Sequence, residues 1–413
     1  MRIFVSDLHL GCGDSLEDFA LWDTGKPCFP KQKDAVGTAM DRMHRAFERF
    51  IDYILCLPEK GKERPELVFL GDTFDLLQVF PEERKNPAKI DLIAKVHKPF
   101  FTALYHFRKN GGIIRFVVGN HDHDLLYPSL FGALKRHLPF QEKENNLKLP
   151  LLFYHDPNAG IYAEHGNQFD SLNAFRNPGI PEEWPFGSEL VLRLVNPLEQ
   201  THPMIDNLGL REALWHALSH APLLISASQR KDLLLEEAIK AISYENRLKH
   251  LAYFLMHQIL PGSDSSIFQL LWRLLVANEK IIRHHNSRKR YIKGLLYTFS
   301  RIGRNPVRIF QDLLTDQFSR EAIRILEGKT NRAIGHPFPA PRFVLFGHTH
   351  RGKTKRLEKR RMYINTGSWR MRAVPYGRYS LRYEQPLDFA IGYRNKKGRW
   401  IMKRRSFADV LRG

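Results

Sequence analysis

The chain has 413 residues, 43% of them hydrophobic, which is enough apolar material for a sizeable core and excludes a disordered protein. Its 64 Lys and Arg against 44 Asp and Glu give a formal net charge of +20, so the surface attracts anions: nucleic acid, phosphorylated metabolites or anionic lipid headgroups. Three scattered cysteines, Cys12, Cys28 and Cys56, have no C-x-x-C spacing and exclude a disulfide framework or a thiolate zinc site, in keeping with a reducing cytoplasm.

The opening MRIFVSDLHL is too short in apolar residues for a signal-peptide core, and no run approaches the roughly 18 apolar residues that span a bilayer. The expectation is a cytoplasmic protein, soluble or peripheral to the inner face of the membrane. Residues 2–5 predict a buried strand that runs into Asp7-Leu8-His9. A helix over 38–57 follows, then a strand over 67–70 ending at Gly71-Asp72-Thr73-Phe74-Asp75. A helix over 90–110 leads to a strand over 113–118 that ends at Gly119-Asn120-His121-Asp122. The strand over 160–163 ends at Glu164-His165-Gly166-Asn167. This strand and helix alternation predicts an α/β domain. Over 185–335 the texture becomes helical, with segments at 229–259 and 265–285, and predicts a helical insert or cap that divides an α/β domain of 1–184 and 336–413. A strand returns at 343–346 and ends at Gly347-His348-Thr349-His350, followed by β-type segments at 362–366, 379–383, 389–393 and 400–403. Basic clusters lie at 283–293, 351–361 and 394–405.

Five polar clusters thus sit at the carboxyl ends of inferred strands, where open α/β sheets bind ligands. Singly, each has an ordinary explanation: Asp-x-His caps a helix or closes a turn, and Gly-Asp and Gly-Asn are common turn pairs. Together, each after a buried strand, they point to one convergent site. Oxygen and imidazole donors without thiolate suit Mn2+, Fe2+ or Zn2+, and one carboxylate can serve two cations. Two cations about 3.5–4 Å apart acidify a shared water and neutralise developing phosphoryl charge.

These clusters resemble the blocks of the calcineurin-like metallophosphoesterase superfamily, which read D-x-H, G-D-x-x-D, G-N-H-[DE], an isolated H, and G-H-x-H. The resemblance covers residues 1–175 and 340–405. It implies a two-sheet α/β metallophosphoesterase sandwich flanked by helices, carrying here a large helical insertion. It also implies hydrolysis of a phosphoester or pyrophosphate bond by a metal-bridging hydroxide. On this resemblance one metal is held by Asp7, His9, Asp72 and His350, and the other by Asp72, Asn120, His165 and His348, with Asp72 as the bridge. Mn2+ is the preferred ion, with Fe2+ or Zn2+ as alternatives. His121 is then the catalytic proton donor or stabiliser of phosphoryl oxygens, with Asp122 orienting it, and Asn120 and His121 also contact substrate. Asp75 supports the ligands from behind. His123 and Asp124 match no block and read as loop residues.

Asp75 is followed by Leu76-Leu77 where protein phosphatases of the superfamily carry Arg-Gly, and purple acid phosphatases place a tyrosine at its position. The runs SDLHLG, EHGNQFDSLNAFR and GHTHR are most similar to the branch containing UDP-2,3-diacylglucosamine diphosphatases. That branch implies a nucleotide-linked lipid substrate, a helical lid after the fourth block and contact with an anionic membrane. Arg176, eleven positions past His165, is the candidate for a substrate phosphate. The chain departs from the branch in its longer insert, in His121 where arginine is common, and in Asn167 where aspartate is usual. Two other readings stay open: a metal-dependent nuclease acting on DNA or RNA, and a non-catalytic binding protein on the same scaffold. Within the insert, Ile267, Leu270, Leu271, Leu274 and Leu275 recur at helical spacing and suit core packing against neighbouring helices ahead of contact with an acyl chain. Arg283, Arg288, Lys289, Arg290 and Lys293 suit a solvated face, anionic lipid or a nucleic-acid backbone.

Overall fold

Strands covered on both faces should read as largely apolar runs, and the strands that precede the five clusters do so, apart from Arg115 in the third. The computed structural model describes residues 1–14, 17–22, 33–57, 64–138, 150–170, 173–185, 187–188, 191–192, 196, 316–329, 340–376 and 380–412. The helices expected at 229–259 and 265–285, the leucine stretch at 267–275 and the basic run at 283–293 lie outside these residues. The chain forms two compact units, one of Met1–Ser188, Asp316–Met371 and Gln385–Gly413, the other of Glu189–Thr315 and Arg372–Glu384. In the second unit, β9 (Arg372–Tyr376) and β10 (Ser380–Glu384) form an antiparallel ribbon.

The first unit holds two five-stranded sheets. In one, β1 (Arg2–Val5), β2 (Glu66–Leu70) and β3 (Ile113–Val117) run parallel, and β11 (Asp388–Arg394) and β12 (Trp400–Ser406) join antiparallel, in the order β12-β11-β1-β2-β3. The other is built from β4 (Tyr154–Asp156), β5 (Ile161–Ala163), β6 (Phe343–Phe346), β7 (Lys353–Arg356) and β8 (Met362–Asn365), in the order β4-β5-β6-β8-β7. Strands β5, β6 and β8 are parallel.

Side chains alternate between faces along each strand. Phe4, Val68, Leu70 and Val117 of the first sheet meet Ile161, Ala163, Phe343, Leu345 and Ile364 of the second in the inner core. On the outer face of the first sheet, Ile3, Val5, Leu67, Phe69 and Phe116 pack beneath α1 (Lys33–Cys56), α2 (Ala88–Val96), α3 (Lys98–Lys109) and α4 (Pro128–His137). On the outer face of the second, Tyr162, Val344, Phe346 and Tyr363 pack beneath α5 (Gln317–Leu326). The result is the expected two-sheet sandwich flanked by helices.

Three departures have local causes. The single helix expected over 90–110 is two helices broken at His97, because Pro99 at the start of α3 has no N–H to continue the ladder. Strand β7 has the sequence KTKR, exposed throughout, and carries no apolar signal; its positive charges suit an edge strand that must not pair with other chains. Helix α5, expected within the insert, belongs to the first unit, where Ala322, Ile325 and Leu326 are buried against the second sheet. No helix among the described residues is long and apolar enough to cross a membrane.

Candidate metal centre

The loops that leave the strands are bent sharply. Asp7, His9, Asp72, His348 and His350 have φ of 54°, 52°, 49°, 67° and 55°, in the left-handed region. That conformation costs a non-glycine residue roughly 1–2 kcal/mol, and such strain gathers at functional sites. Neighbouring backbone groups hold it in place: Leu8 and His9 N–H donate to the Asp72 carbonyl at 2.9 and 3.0 Å, Asp7 N–H to Gly71 at 3.1 Å, and Gly347 N–H to His165 at 2.8 Å. Blocks one, two, four and five are therefore laced through their main chains.

Glycine is required where these loops touch. A Cβ on Gly119 would lie 2.2 Å from Asp72 Oδ1 and 2.7 Å from the Asp72 backbone nitrogen. Because backbone cannot yield as a flexible side chain can, Gly119→Ala is expected to displace Asp72. Its Mn2+ uptake, followed by elemental analysis across a titration, should weaken at least about tenfold, while circular dichroism still reports the folded sandwich.

Side chains from all five blocks converge. Asp7 Oδ1 lies 3.2 Å from His350 Nε2, and Asp72 Oδ2 lies 3.0 Å from His165 Nε2 and 3.8 Å from His9 Nε2. One candidate ligand atom from each of Asp7, His9 and His350 falls within 4.8 Å of the others, as do those of Asp72, His165 and His348. Asp7 Oδ1, His9 Nε2, Asn120 Oδ1 and His165 Nε2 are buried without a hydrogen-bond partner among the described residues. An unpaired buried polar atom costs about 1–3 kcal/mol, so four in one place call for a common partner. The opposite ends of the two rings are committed: His9 Nδ1 donates to Asp75 Oδ2 at 3.2 Å, and His165 Nδ1 to the Leu70 carbonyl at 2.9 Å. Unpaired oxygen and imidazole atoms gathered in this way are what a divalent metal centre presents. Carboxylate, amide and imidazole donors fit a divalent ion.

The electrostatics agree. Burial alone would raise the Asp72 carboxyl, but His165 and His121 hold it well below the usual carboxylate range. Burial depresses the His165 imidazole, and Asp72 overcomes this and raises it to about 10. Positive charge is thus favoured between Asp72 and His165, whether a proton or a metal ion supplies it. Burial lowers His9 and His350, and the Arg370 guanidinium acts in the same direction.

His121 donates its main-chain N–H to Asp72 Oδ1 at 2.9 Å and its Nδ1–H to Asp75 Oδ1 at 3.1 Å. Burial opposes its charge, but Asp75 and Asp72 raise it to about 9. The expectation that Asp122 orients His121 is therefore corrected. Asp122 accepts from Gly119 N at 2.7 Å and Thr73 N at 2.8 Å, which ties the third block to the second, while Asp75 spends one oxygen on His9 and the other on His121. Burial and the nearby Asp72 push the Asp122 carboxyl up to about 7.

His123 and Asp124 are not idle loop residues. The His123 ring stacks on Phe175 with centroids 3.7 Å apart, and its Nε2–H donates to the Pro178 carbonyl at 2.7 Å. Arg84 donates to Asp124 at 3.1 Å, to the Glu182 carbonyl at 3.0 Å and to the Pro181 carbonyl, and lies 4.1 Å over the Trp184 ring. Together they fasten the segment that carries the exposed Arg176 to the loop that carries His121. Burial lowers His123 to about 4, below its unfolded value near 6.5, so the unfolded chain binds more protons between those values. Stability from this group is complete above pH 6.5 and is lost as pH falls toward 4. His123→Phe should flatten this limb by about 2 kcal/mol when urea unfolding is compared at pH 7 and pH 4.5. An unchanged pH dependence would show that the buried ring does not carry it.

Two further contacts had no counterpart among the sequence blocks. Arg370 pairs with Asp18 at 2.6 Å in the interior, and His348 Nε2 lies 2.9 Å from Asp170 Oδ2. Residues 2–253 match the model of the family described as calcineurin-like phosphoesterase, a span that includes four of the five blocks. No curated protein is matched by the chain.

Proposed function

Because the chain belongs to the calcineurin-like phosphoesterase family, whose members are metal-dependent phosphoesterases, we propose that it cleaves a phosphoester or pyrophosphate bond with two divalent cations. The four unpaired buried ligand atoms, two from the first block and one each from the third and fourth, support the reading most directly. One cation is held by Asp7, His9, Asp72 and His350, the other by Asp72, Asn120, His165 and His348. Mn2+ is the preferred ion, ahead of Fe2+ or Zn2+. When bound, two such cations acidify a water and neutralise charge on the phosphoryl group.

The chain's own residues supply the rest. Asp75 engages the Nδ1–H of His121 and favours its charged form, which leaves Nε2–H to donate to the departing oxygen. Asp75 stays ionised because His121 and His9 hold its carboxyl far below the usual range against the effect of burial. Asp122 keeps the His121 loop seated on Thr73. Arg176, exposed on its fastened segment, takes a second phosphate of the substrate.

The substrate class we favour is a phosphorylated small molecule or nucleotide-linked lipid or sugar such as UDP-2,3-diacylglucosamine, met in the cytoplasm or at an anionic membrane face. A nuclease is the second reading, favoured by the exposed Lys353, Lys355 and Arg356 on β7, which begins three residues past His350. Hydrolysis of bis(p-nitrophenyl) phosphate and of a nucleotide-sugar pyrophosphate with added Mn2+ tests the proposal. Metal-dependent turnover is expected, with the pyrophosphate preferred. Preference for DNA with steep salt dependence would select the nuclease, and a chain that binds no divalent cation would overturn the reading.

A further inference from the structure

The segment that follows β5 contributes more than the histidine of the fourth block. After His165 the chain turns through Gly166, at φ 107°, into a single 3-10 turn, Asn167–Phe169, which returns toward the end of β6 with Phe169 against Phe346 at 5.1 Å. Asp170 follows and meets the fifth block: its Oδ2 accepts from His348 Nε2 at 2.9 Å. Asp170 is itself fixed, because Oδ2 also accepts from Asn173 Nδ2 at 2.6 Å and its carbonyl accepts from Asn173 and Ala174 N–H at 3.1 and 2.8 Å. His348 is held from its other sides by its own N–H, which donates to Asp7 Oδ2 at 3.1 Å, and by the His165 ring at 5.1 Å.

The imidazoles of the site follow one rule with a reversal. In His9 and His165, Nδ1 is spent on an orienting acceptor and Nε2 is buried without a hydrogen-bond partner among the described residues. In His348 the spent nitrogen is Nε2. A histidine that gives one N–H to a carboxylate presents the lone pair of the other nitrogen to a metal, and the carboxylate fixes both tautomer and ring orientation.

We infer that Asp170 is the positioning residue for His348, holding its Nε2–H so that Nδ1 faces the cation shared with Asp72, Asn120 and His165. The inference rests on the two-metal reading above. Its consequence is that the segment running on from the fourth block serves one metal position twice, through His165 directly and through Asp170 by way of His348, and that the cation shared with Asp7 and His9 does not depend on Asp170.

The test uses the full chain and Mn2+ alone as the probe. Calorimetric titration of the wild type should show two Mn2+ ions bound. Asp170→Ala should weaken one of them about 10–100-fold and leave the other within about threefold, whereas Asp170→Asn, whose amide oxygen still accepts from Nε2–H, should recover most of the loss. Equal weakening of both ions, or neither weakened in Asp170→Ala, would overturn the inference. A wild type that binds no Mn2+ would instead overturn the two-metal reading on which it rests. Should Asp170→Ala fail to fold, long-range nitrogen–proton NMR of wild-type His348 decides: the Nε2–H tautomer is expected, and the Nδ1–H tautomer refutes it.

Discussion

Asp72→Asn is expected to abolish metal-dependent hydrolysis while leaving the sandwich folded. Asp72 faces both halves of the site, with Oδ2 3.0 Å from His165 Nε2 and 3.8 Å from His9 Nε2. Asparagine tolerates the left-handed backbone at this position, and its amide oxygen can still accept from His121 N–H. What it lacks is the negative charge that the two proposed dications would share. Metal ions stabilise phosphoryl transfer by several kcal/mol, so losing the bridge should lower kcat by about a thousandfold or more. Bound Mn2+ should fall from two ions to one or none, with little change in circular dichroism. Turnover retained within about tenfold would show that Asp72 does not join the two positions.

His121→Gln should act differently. The main-chain N–H to Asp72 survives the substitution, so metal content should stay at two ions. Loss of the Asp75-supported imidazolium should lower kcat by about 10²–10⁴-fold on substrates with alkoxide leaving groups, the range usual for general acid catalysis. Because p-nitrophenolate departs without help from a proton, bis(p-nitrophenyl) phosphate should suffer far less. An equal loss on both substrate types would move His121 from protonating the leaving group to stabilising the phosphoryl oxygens.

The core of the fold and most of the site were legible for one reason. Strands β1, β2, β5 and β6 are buried along nearly their whole length and stop at polar residues, so the apolar run and its polar end are both visible in one dimension. Strand β7 was hidden because an exposed edge needs no apolar residue. The break at His97 was signalled by Pro99, since proline ends a helical ladder. The roles of Asp75 and Asp122 could not be read in the same way. Asp122 adjoins His121 in sequence, yet Asp75 reaches it across 46 positions, because the return path of a loop decides which carboxylate arrives. Asp170 lies outside every block for the same reason: only the left-handed turn at Gly166 brings it to His348.

The place of β1 in its sheet also governs how the molecule can be made. It lies between β2 and β11, with Arg2 opposite both Glu66 and Gly392. A growing chain can supply the first of these partners early, but the second emerges only after the five blocks have been made. Until then the strand that launches Asp7 and His9 has one bare edge, and Asp7 awaits a contact with His348 that is 341 positions away. Pairing at such separation slows folding and prolongs the interval in which an open edge can aggregate. A chain that ends before residue 388 would keep every expected metal ligand and still fail to close the sheet beneath them, so a strand made late sets when the residues that follow β1 become useful.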